Sequence, residues 1–274
     1  MGRIIALHSY KGGTGKTLLS VNLASTYAKE GKDVCLLDLD FRAPSLHAIF
    51  RTNNSEYWLN DYLNGACEIK RVLIDRSHHN PGDSRFLIGL ADPTTEAIRE
   101  MSAKDRKWEM KALGRLLSLK NSLLNDLHLD YLILDTSPGL QYSSINAIVS
   151  ADAALVVTSI DRSDIKGTHR MIEELYELFD KKTGIVMNKV PIDILSSQEE
   201  KEEFFQRFNE NAHHRRHTLL LRHTPSRRNL HIHRTETRPP LHQSCRRNIQ
   251  RNKKILVFIF TFFLSLPSLL NVSP

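Results

Sequence analysis

Cysteine is scarce in this chain: three residues in 274, Cys35, Cys67 and Cys245, with no CxxC pair and no metal-ligand cluster with histidine. That scarcity excludes a disulfide framework and predicts a reducing, cytoplasmic compartment. No secretory signal is expected, because Met1 runs straight into an apolar strand pattern with no charged stretch and apolar h-region. Acidic residues are nearly missing from one part only. Residues 212–274 carry 12 Lys and Arg against one Glu, net +11, and seven of the 13 histidines, whereas residues 1–211 carry 26 Lys and Arg against 30 Asp and Glu, net −4. The overall charge of +7 therefore belongs to the last 63 residues. Its ordinary implication, a body that seeks nucleic acid or membrane, fails for the first 211.

What is present in residues 1–211 is an alternation of short apolar runs with helical periodicity. Residues 3–8 read as a strand, followed by a Gly-rich turn and a helix over 16–29. Further strands are expected at 33–39, 85–90, 129–134, 153–158 and 184–187. Helices are expected at 55–63 (capped by Ser55 and stopped at Gly65), 105–127, 143–149, 163–179 and 198–209. The run Val34, Leu36, Leu37 is continuous rather than alternating, as in a parallel strand covered on both faces. The pattern predicts an α/β fold, a doubly wound and mostly parallel sheet with helices on both faces, whose ligands bind at the carboxyl edge of the strands.

The Gly-rich turn carries the chemistry. A phosphate cradle needs inward-facing backbone N–H groups, a helix N-terminus beneath them, a lysine for the outer phosphates and a hydroxyl for the metal. The segment Lys11-Gly-Gly-Thr-Gly-Lys-Thr17 offers Gly12, Gly13 and Gly15 for the wrap, Lys16 for the charge and Thr17 for Mg²⁺. The pattern GxxxxGK[ST] would place glycine at position 10, where this chain has Tyr10; a second lysine, Lys11, heads the loop.

This arrangement resembles the deviant Walker A motif of the MinD/ParA family of P-loop ATPases, and the resemblance extends over roughly the first 210 residues. It implies that Lys11, Gly12, Gly13, Thr14, Gly15, Lys16 and Thr17 hold ATP, with Lys11 reaching across an ATP-sandwiched homodimer to the partner's phosphates. The stretch Leu36-Leu-Asp-Leu-Asp40 matches the family's second motif. There Asp40 would position the attacking water and approach the metal, and Asp38 would support Mg²⁺ or the loop. Tyr131-Leu-Ile-Leu-Asp135-Thr-Ser-Pro-Gly139 looks like the Walker B strand and its switch: Asp135 would hold Mg²⁺ through water and Gly139 would let the loop rearrange. Ile185-Val-Met-Asn188-Lys189 is similar to the family's base-recognition strand end, where Asn188 would read adenine. Pro191 stands where a guanine-specific NKxD pattern needs aspartate, so ATP is expected over GTP. The polar loop Asp161-Arg-Ser-Asp164 either contacts the partner or base edge, or is simply solvated.

The implied activity is a Mg-ATP-driven dimeric switch, catalytic through Lys11, Lys16 and Asp40, with Thr17, Asp40 and Asp135 as the metal set. Such switches position division, chromosome or other cargo on a membrane or nucleoid, which leaves peripheral attachment to a membrane open beside a cytoplasmic location. The alternatives are an Mrp-type iron–sulfur carrier, whose paired cysteines are absent here, and a nucleotide-gated DNA-binding partition protein resting wholly on the basic tail. Three readings of residues 212–274 stand: a basic arm for nucleic acid, a polybasic collar before the apolar run at 255–266, and out-of-frame translation. That run is shorter than the ~20 residues a spanning helix needs. Composition and topology favour the third reading, in which no edge strand follows residue 211. Sequencing the gene across codons 205–220 decides it: a disrupted frame is expected, and an intact one removes the idea.

Overall fold

The computed structural model describes residues 2–52, 54–77, 84–176, 179, 181–190 and 218–223. They form one eight-stranded sheet: β1 (Arg3–His8), β2 (Val34–Leu39), β3 (Ile74–Asp75), β4 (Phe86–Gly89), β5 (Tyr131–Thr136), β6 (Ala153–Thr158), β7 (Lys182–Val190) and β8 (Thr218–His223). The order across the sheet is β3-β4-β2-β5-β1-β6-β7-β8, with every pairing parallel except the edge pair β3/β4. From β1 the chain passes to β2 on one side and later to β6 on the other. The strand order thus reverses at the carboxyl end of β1, where an open α/β sheet makes its ligand crevice.

Burial follows from the parallel pairing. All six residues of β2 are buried, because both faces are covered and successive side chains go to opposite faces. Cys35, Leu37 and Leu39 join Ile4, Ala6, Leu132 and Leu134 on one face, while Val34 and Leu36 join Ile5, Leu7 and Ile133 on the other. The first face is covered by α3 (Leu59–Asn64), α6 (Arg106–Leu119) and α7 (Tyr142–Ser150), and the second by α1 (Lys16–Lys29). A further apolar cluster joins β6 and β7 to α8 (Arg162–Met171) and the π-helical turn Ile172–Tyr176 that continues it.

The expected strands and helices of residues 1–187 are present, with boundaries differing by a few residues. Gly65 ends α3 in the left-handed conformation at φ 84. Ser55, expected as that helix's cap, instead donates to the Tyr57 carbonyl, and the helix starts after Trp58. Asp105 does cap α6, accepting from the Trp108 N–H at 2.8 Å, but the stretch beyond Leu119 is a π-helical turn, Lys120–Asn125. Four short elements were not foreseen: α2 (Leu46–Ile49), α4 (Ile69–Val72), β3 and α5 (Thr95–Ser102). They are too brief to show a period.

The expectation that the basic segment adds no strand is corrected by β8, which runs parallel to β7 from Gly184↔Thr218 to Val190↔His223. Its sequence Thr-Leu-Leu-Leu-Arg-His is an apolar run of strand length. Averaging composition over 63 residues hid it. The expected helix at 198–209 and the apolar run at 255–266 lie outside the described residues. Among the described residues, no helix is long and apolar enough to cross a membrane.

The amino ends of β2, β4 and β5 are tied together by one carboxylate. Asp33 accepts from the Arg85 backbone N–H at 2.7 Å and from its Nε and Nη2 at 3.0 and 2.6 Å, and Arg85 Nη2 also reaches the Leu127 carbonyl at 2.6 Å. Burial by itself would raise the Asp33 pKa, but the bonds from Arg85 outweigh it and hold the carboxyl below its ordinary value. The folded value lies below the unfolded one, so the contribution to stability is complete above the unfolded value and is lost as pH falls through the folded one. Asp33→Asn is expected to flatten the acid limb of stability measured by urea unfolding from about pH 5 down to about pH 2. An unchanged limb contradicts this assignment.

Candidate functional site

Ser9 to Gly15 form the loop between β1 and α1, and Gly13 and Gly15 adopt φ 75 and φ 90. A side chain at Gly15 is excluded twice, since its Cβ would also lie 2.3 Å from Asn188 Nδ2. Gly12 has no such requirement: a Cβ there would make only an ordinary contact with Pro138 at 3.8 Å. The end of β7 clamps the loop. Asn188 Nδ2 donates to the Thr14 carbonyl at 2.7 Å and Lys189 Nζ donates to the Gly13 carbonyl at 2.5 Å. In a planar trans peptide the N–H points opposite to the carbonyl, so these two bonds turn the Thr14 and Gly15 amides away from β7. Expected at the base, the Asn188 amide thus braces the phosphate loop, and its Oδ1 is buried without a partner.

Below the loop lies a buried ion pair. Lys16, at the first position of α1, places Nζ 3.2 Å from Asp135 Oδ1, and Ser20 one turn later donates to the same oxygen at 2.9 Å. Lys16 is 6% exposed and Asp135 not at all, and Asp135 Oδ2 has no partner. Register puts Asp38 of β2 directly beside Asp135 of β5. Asp38 accepts from the backbone N–H groups of Asp40 and Leu46. Burial first, then the charges of Asp135 and Asp40, push its pKa well above the usual carboxylate range. Through these bonds Asp38 holds the β2–α2 loop.

Asp40 is 8% exposed and accepts from Ser137 Oγ at 2.8 Å and from the Ala43 N–H at 3.2 Å. Ser137 is two residues beyond Asp135, so the loops after β2 and β5 are joined through this one bond. A cavity of about 390 Å³ opens above them, walled by Gly12 to Thr17, Asp40 and Ser137 among others. Asp135 is not among its walls and is bonded to Lys16, which is.

Lys11 is brought elsewhere. Its ammonium donates to Asp161 Oδ1 at 3.2 Å and to Ser163 Oγ, at the start of α8. Asp161 caps that helix, and its bonds from Ser163, the Asp164 N–H and Lys11 hold its carboxyl well below the usual range. The ring of Tyr10 lies against Gly167 one turn further along α8, where a Cβ would come within 2.0 Å of it. The loop Asp161–Asp164, left open between a partner or base contact and a solvated loop, pairs with Lys11, and Gly167 was not singled out. An N-cap aspartate is visible in a sequence, but its pairing with a lysine 150 positions earlier is not.

Among the described residues, no three His, Cys, Asp or Glu side chains converge into a ready-made metal cage. Mg²⁺ does not require one, being held by one or two carboxylates together with phosphate oxygens and water. A hydroxyl at Thr17 and a carboxylate at Asp40, both on the cavity wall, are donors of that kind, and the unpartnered Oδ2 of Asp135 lies behind Lys16. Gly13 and Gly15, held open by positive φ, leave room for a phosphate chain against the N-terminus of a 14-residue helix. The residues present therefore fit a nucleotide and its metal.

Comparison with known proteins agrees with this geometry. The chain is 30% identical over 193 residues to the septum site-determining protein MinD of Thermotoga maritima, covering 69% of this chain and 65% of that protein's own length. Two solved structures share the fold. The septum site-determining protein MinD of Pyrococcus horikoshii in complex with Mg-ADP has a TM-score of 0.56 at 23% identity, covering 72% of this chain and 73% of that one. A plasmid partition protein of Borrelia burgdorferi bound to AMPPNP has a TM-score of 0.61 at 16% identity, covering 95% and 98%. A family model described as an AAA domain matches residues 2–188, and with the phosphate loop, the Walker B aspartate and the sheet order in place, the chain belongs to the MinD/ParA-type P-loop ATPases.

Proposed function

We propose that the protein binds and hydrolyses Mg-ATP and works as a dimeric switch that positions cargo, its nucleotide-binding unit being residues 1–211. The observation that carries this reading is the buried Lys16–Asp135 pair under a cradle of amides turned toward an open cavity. Lys16 is the cation for the outer phosphates, and the amides from Gly12 to Thr17 with the α1 N-terminus receive the remaining negative charge. Mg²⁺ supplies charge neutralisation on the phosphate oxygens when bound, and Thr17, Asp40 and Asp135 are the residues to hold it. Asp40, fixed by Ser137, orients the attacking water; phosphoryl transfer depends mainly on such positioning and on electrostatics, so a strong base is not needed. Asn188 keeps its adenine-reading role in this proposal through its free Oδ1 and serves as the loop's brace through its Nδ2.

Dimerisation rests on Lys11. It is 44% exposed and paired only with groups at the surface, and an exposed pair of this kind is weak enough to exchange. Lys11 can therefore leave Asp161 for the phosphates of a second copy. The names of the relatives, septum site-determining and plasmid partition proteins, support cargo positioning as the outcome, at a membrane or nucleoid surface.

Lys16→Ala is expected to abolish Mg-ATP binding in calorimetry and to lower turnover by roughly a hundredfold or more. The same change strips Asp135 of its buried cation at a cost of about 3–5 kcal/mol, so folding is confirmed by circular dichroism before titration. Wild-type heat of association that is absent with folded protein refutes the proposal. Lys11→Ala is expected to retain binding while losing ATP-dependent dimerisation in light scattering and losing turnover; equal loss of binding in both variants contradicts the division between the two lysines. Removing Mg²⁺ with EDTA is expected to weaken ATP binding in wild type, and an unchanged affinity would remove Thr17, Asp40 and Asp135 as the metal set.

A further inference from the structure

One buried titratable group has no place in the reaction described above. His8, the last residue of β1, has no exposed surface. Its Nε2 is 2.8 Å from the Gly139 carbonyl and its Nδ1 is 2.6 Å from the Tyr176 hydroxyl. A carbonyl oxygen only accepts, so the proton sits on Nε2; a neutral imidazole then offers Nδ1 as acceptor, and Tyr176 is the donor. Burial above all, opposed by the bond to Gly139 and reinforced by the charge of Lys16, lowers the imidazole pKa to about 4 and keeps it neutral.

The two partners belong to different segments. Gly139 lies in the loop after Asp135, at φ 77, and its own N–H donates to the Ser9 carbonyl at 2.9 Å. Ser137, two residues earlier, holds Asp40. Tyr176 ends the π-helical turn that continues α8. Along its length α8 also receives Lys11 at Asp161 and Ser163, and Tyr10 at Gly167. His8, at the end of β1, and Tyr10, two positions on, both meet this one helical arm.

The geometry points to His8 as a positioning residue for nucleotide turnover, joining α8 to the loop that carries Ser137 so that the setting of Asp40 follows the position of α8. This inference rests on the ATPase reading and extends it to residues that touch no phosphate. The imidazole binds both the Gly139 carbonyl and Tyr176, at the end of the helical arm that meets Lys11 and Tyr10.

The test compares wild type with His8→Leu, His8→Gln and Tyr176→Phe, measuring steady-state hydrolysis and calorimetric binding of Mg-ATP. His8→Leu removes both bonds and is expected to lower kcat roughly ten- to a hundredfold, because a small misplacement of Asp40 suffices, with KM and affinity held within about twofold. His8→Gln, which restores an N–H at the reach of Nε2, is expected to recover most of kcat. Tyr176→Phe, which loses one hydroxyl and keeps the fold, is expected to lower kcat roughly three- to tenfold. If His8→Leu does not fold, Tyr176→Phe decides: kcat equal to wild type overturns the inference, as does parallel loss of affinity and kcat in folded His8→Leu, the mark of a merely structural role.

A readout without turnover stands beside these. ¹⁵N NMR of the nucleotide-free protein is expected to show His8 protonated at Nε2 alone at neutral pH, with the Nδ1 signal displaced in Tyr176→Phe. A proton on Nδ1 overturns the inference. Wild-type protein that neither binds nor hydrolyses Mg-ATP ends the ATPase reading, and this inference with it. Wild type that hydrolyses ATP at the same rate as His8→Leu and Tyr176→Phe ends this inference alone.

Discussion

A carboxylate with no exposed surface at the end of a central strand cannot stand without a cation. Removing it from water costs several kcal/mol by general estimates, and only a close, hydrogen-bonded partner offsets this. Asp135 meets that demand through Lys16 and Ser20, both on α1. The first turn of α1 must therefore lie over the carboxyl end of β5, and the loop from β1 must deliver it there. That requirement accounts for the left-handed Gly13 and Gly15, and for the two donors at the end of β7 that hold the loop's carbonyls. The same pair leaves Asp135 Oδ2 unsatisfied. Stability alone does not account for such a pair, since an apolar pair of equal volume often serves the fold as well.

A second framework runs along α8. Lys11, Tyr10 and His8 touch it at Asp161/Ser163, Gly167 and Tyr176. The phosphate loop is thereby held from above by a helix as well as from below by a carboxylate. Ser137 joins the loops after β2 and β5 through Asp40, and Gly139 joins the latter loop to β1. These segments are joined to one another by short hydrogen bonds. A switch needs such connections, because a ligand shifts a conformational equilibrium only through contacts that differ between its states.

Much of this was legible from residue order. The strand, loop and helix around Lys11–Thr17 could be read because each uses a local signal: an apolar run, a glycine cluster and helical spacing. Asp40 and Asp135 could be placed because a carboxylate at the end of an apolar run stands at the carboxyl edge of the sheet. What residue order did not show depends on what lies across space. Asn188 also donates to the Thr14 carbonyl, and Asp38 accepts from two N–H groups of the loop after β2. β8 was hidden because composition was averaged over a segment in which six residues behave differently from their neighbours.

By itself, the order of residues determined the α/β alternation, the phosphate loop and the identity of the charged groups at the strand ends. Those properties arise from backbone propensity and apolar period, which act over a few residues. Only the tertiary structure decided who answers each charge: Lys16 for Asp135 across 119 positions, Asp161 for Lys11 across 150, Tyr176 for His8 across 168. Such pairings depend on strand order and on where α1 and α8 come to rest. These are set by how the two faces of the sheet are covered, which no local pattern specifies.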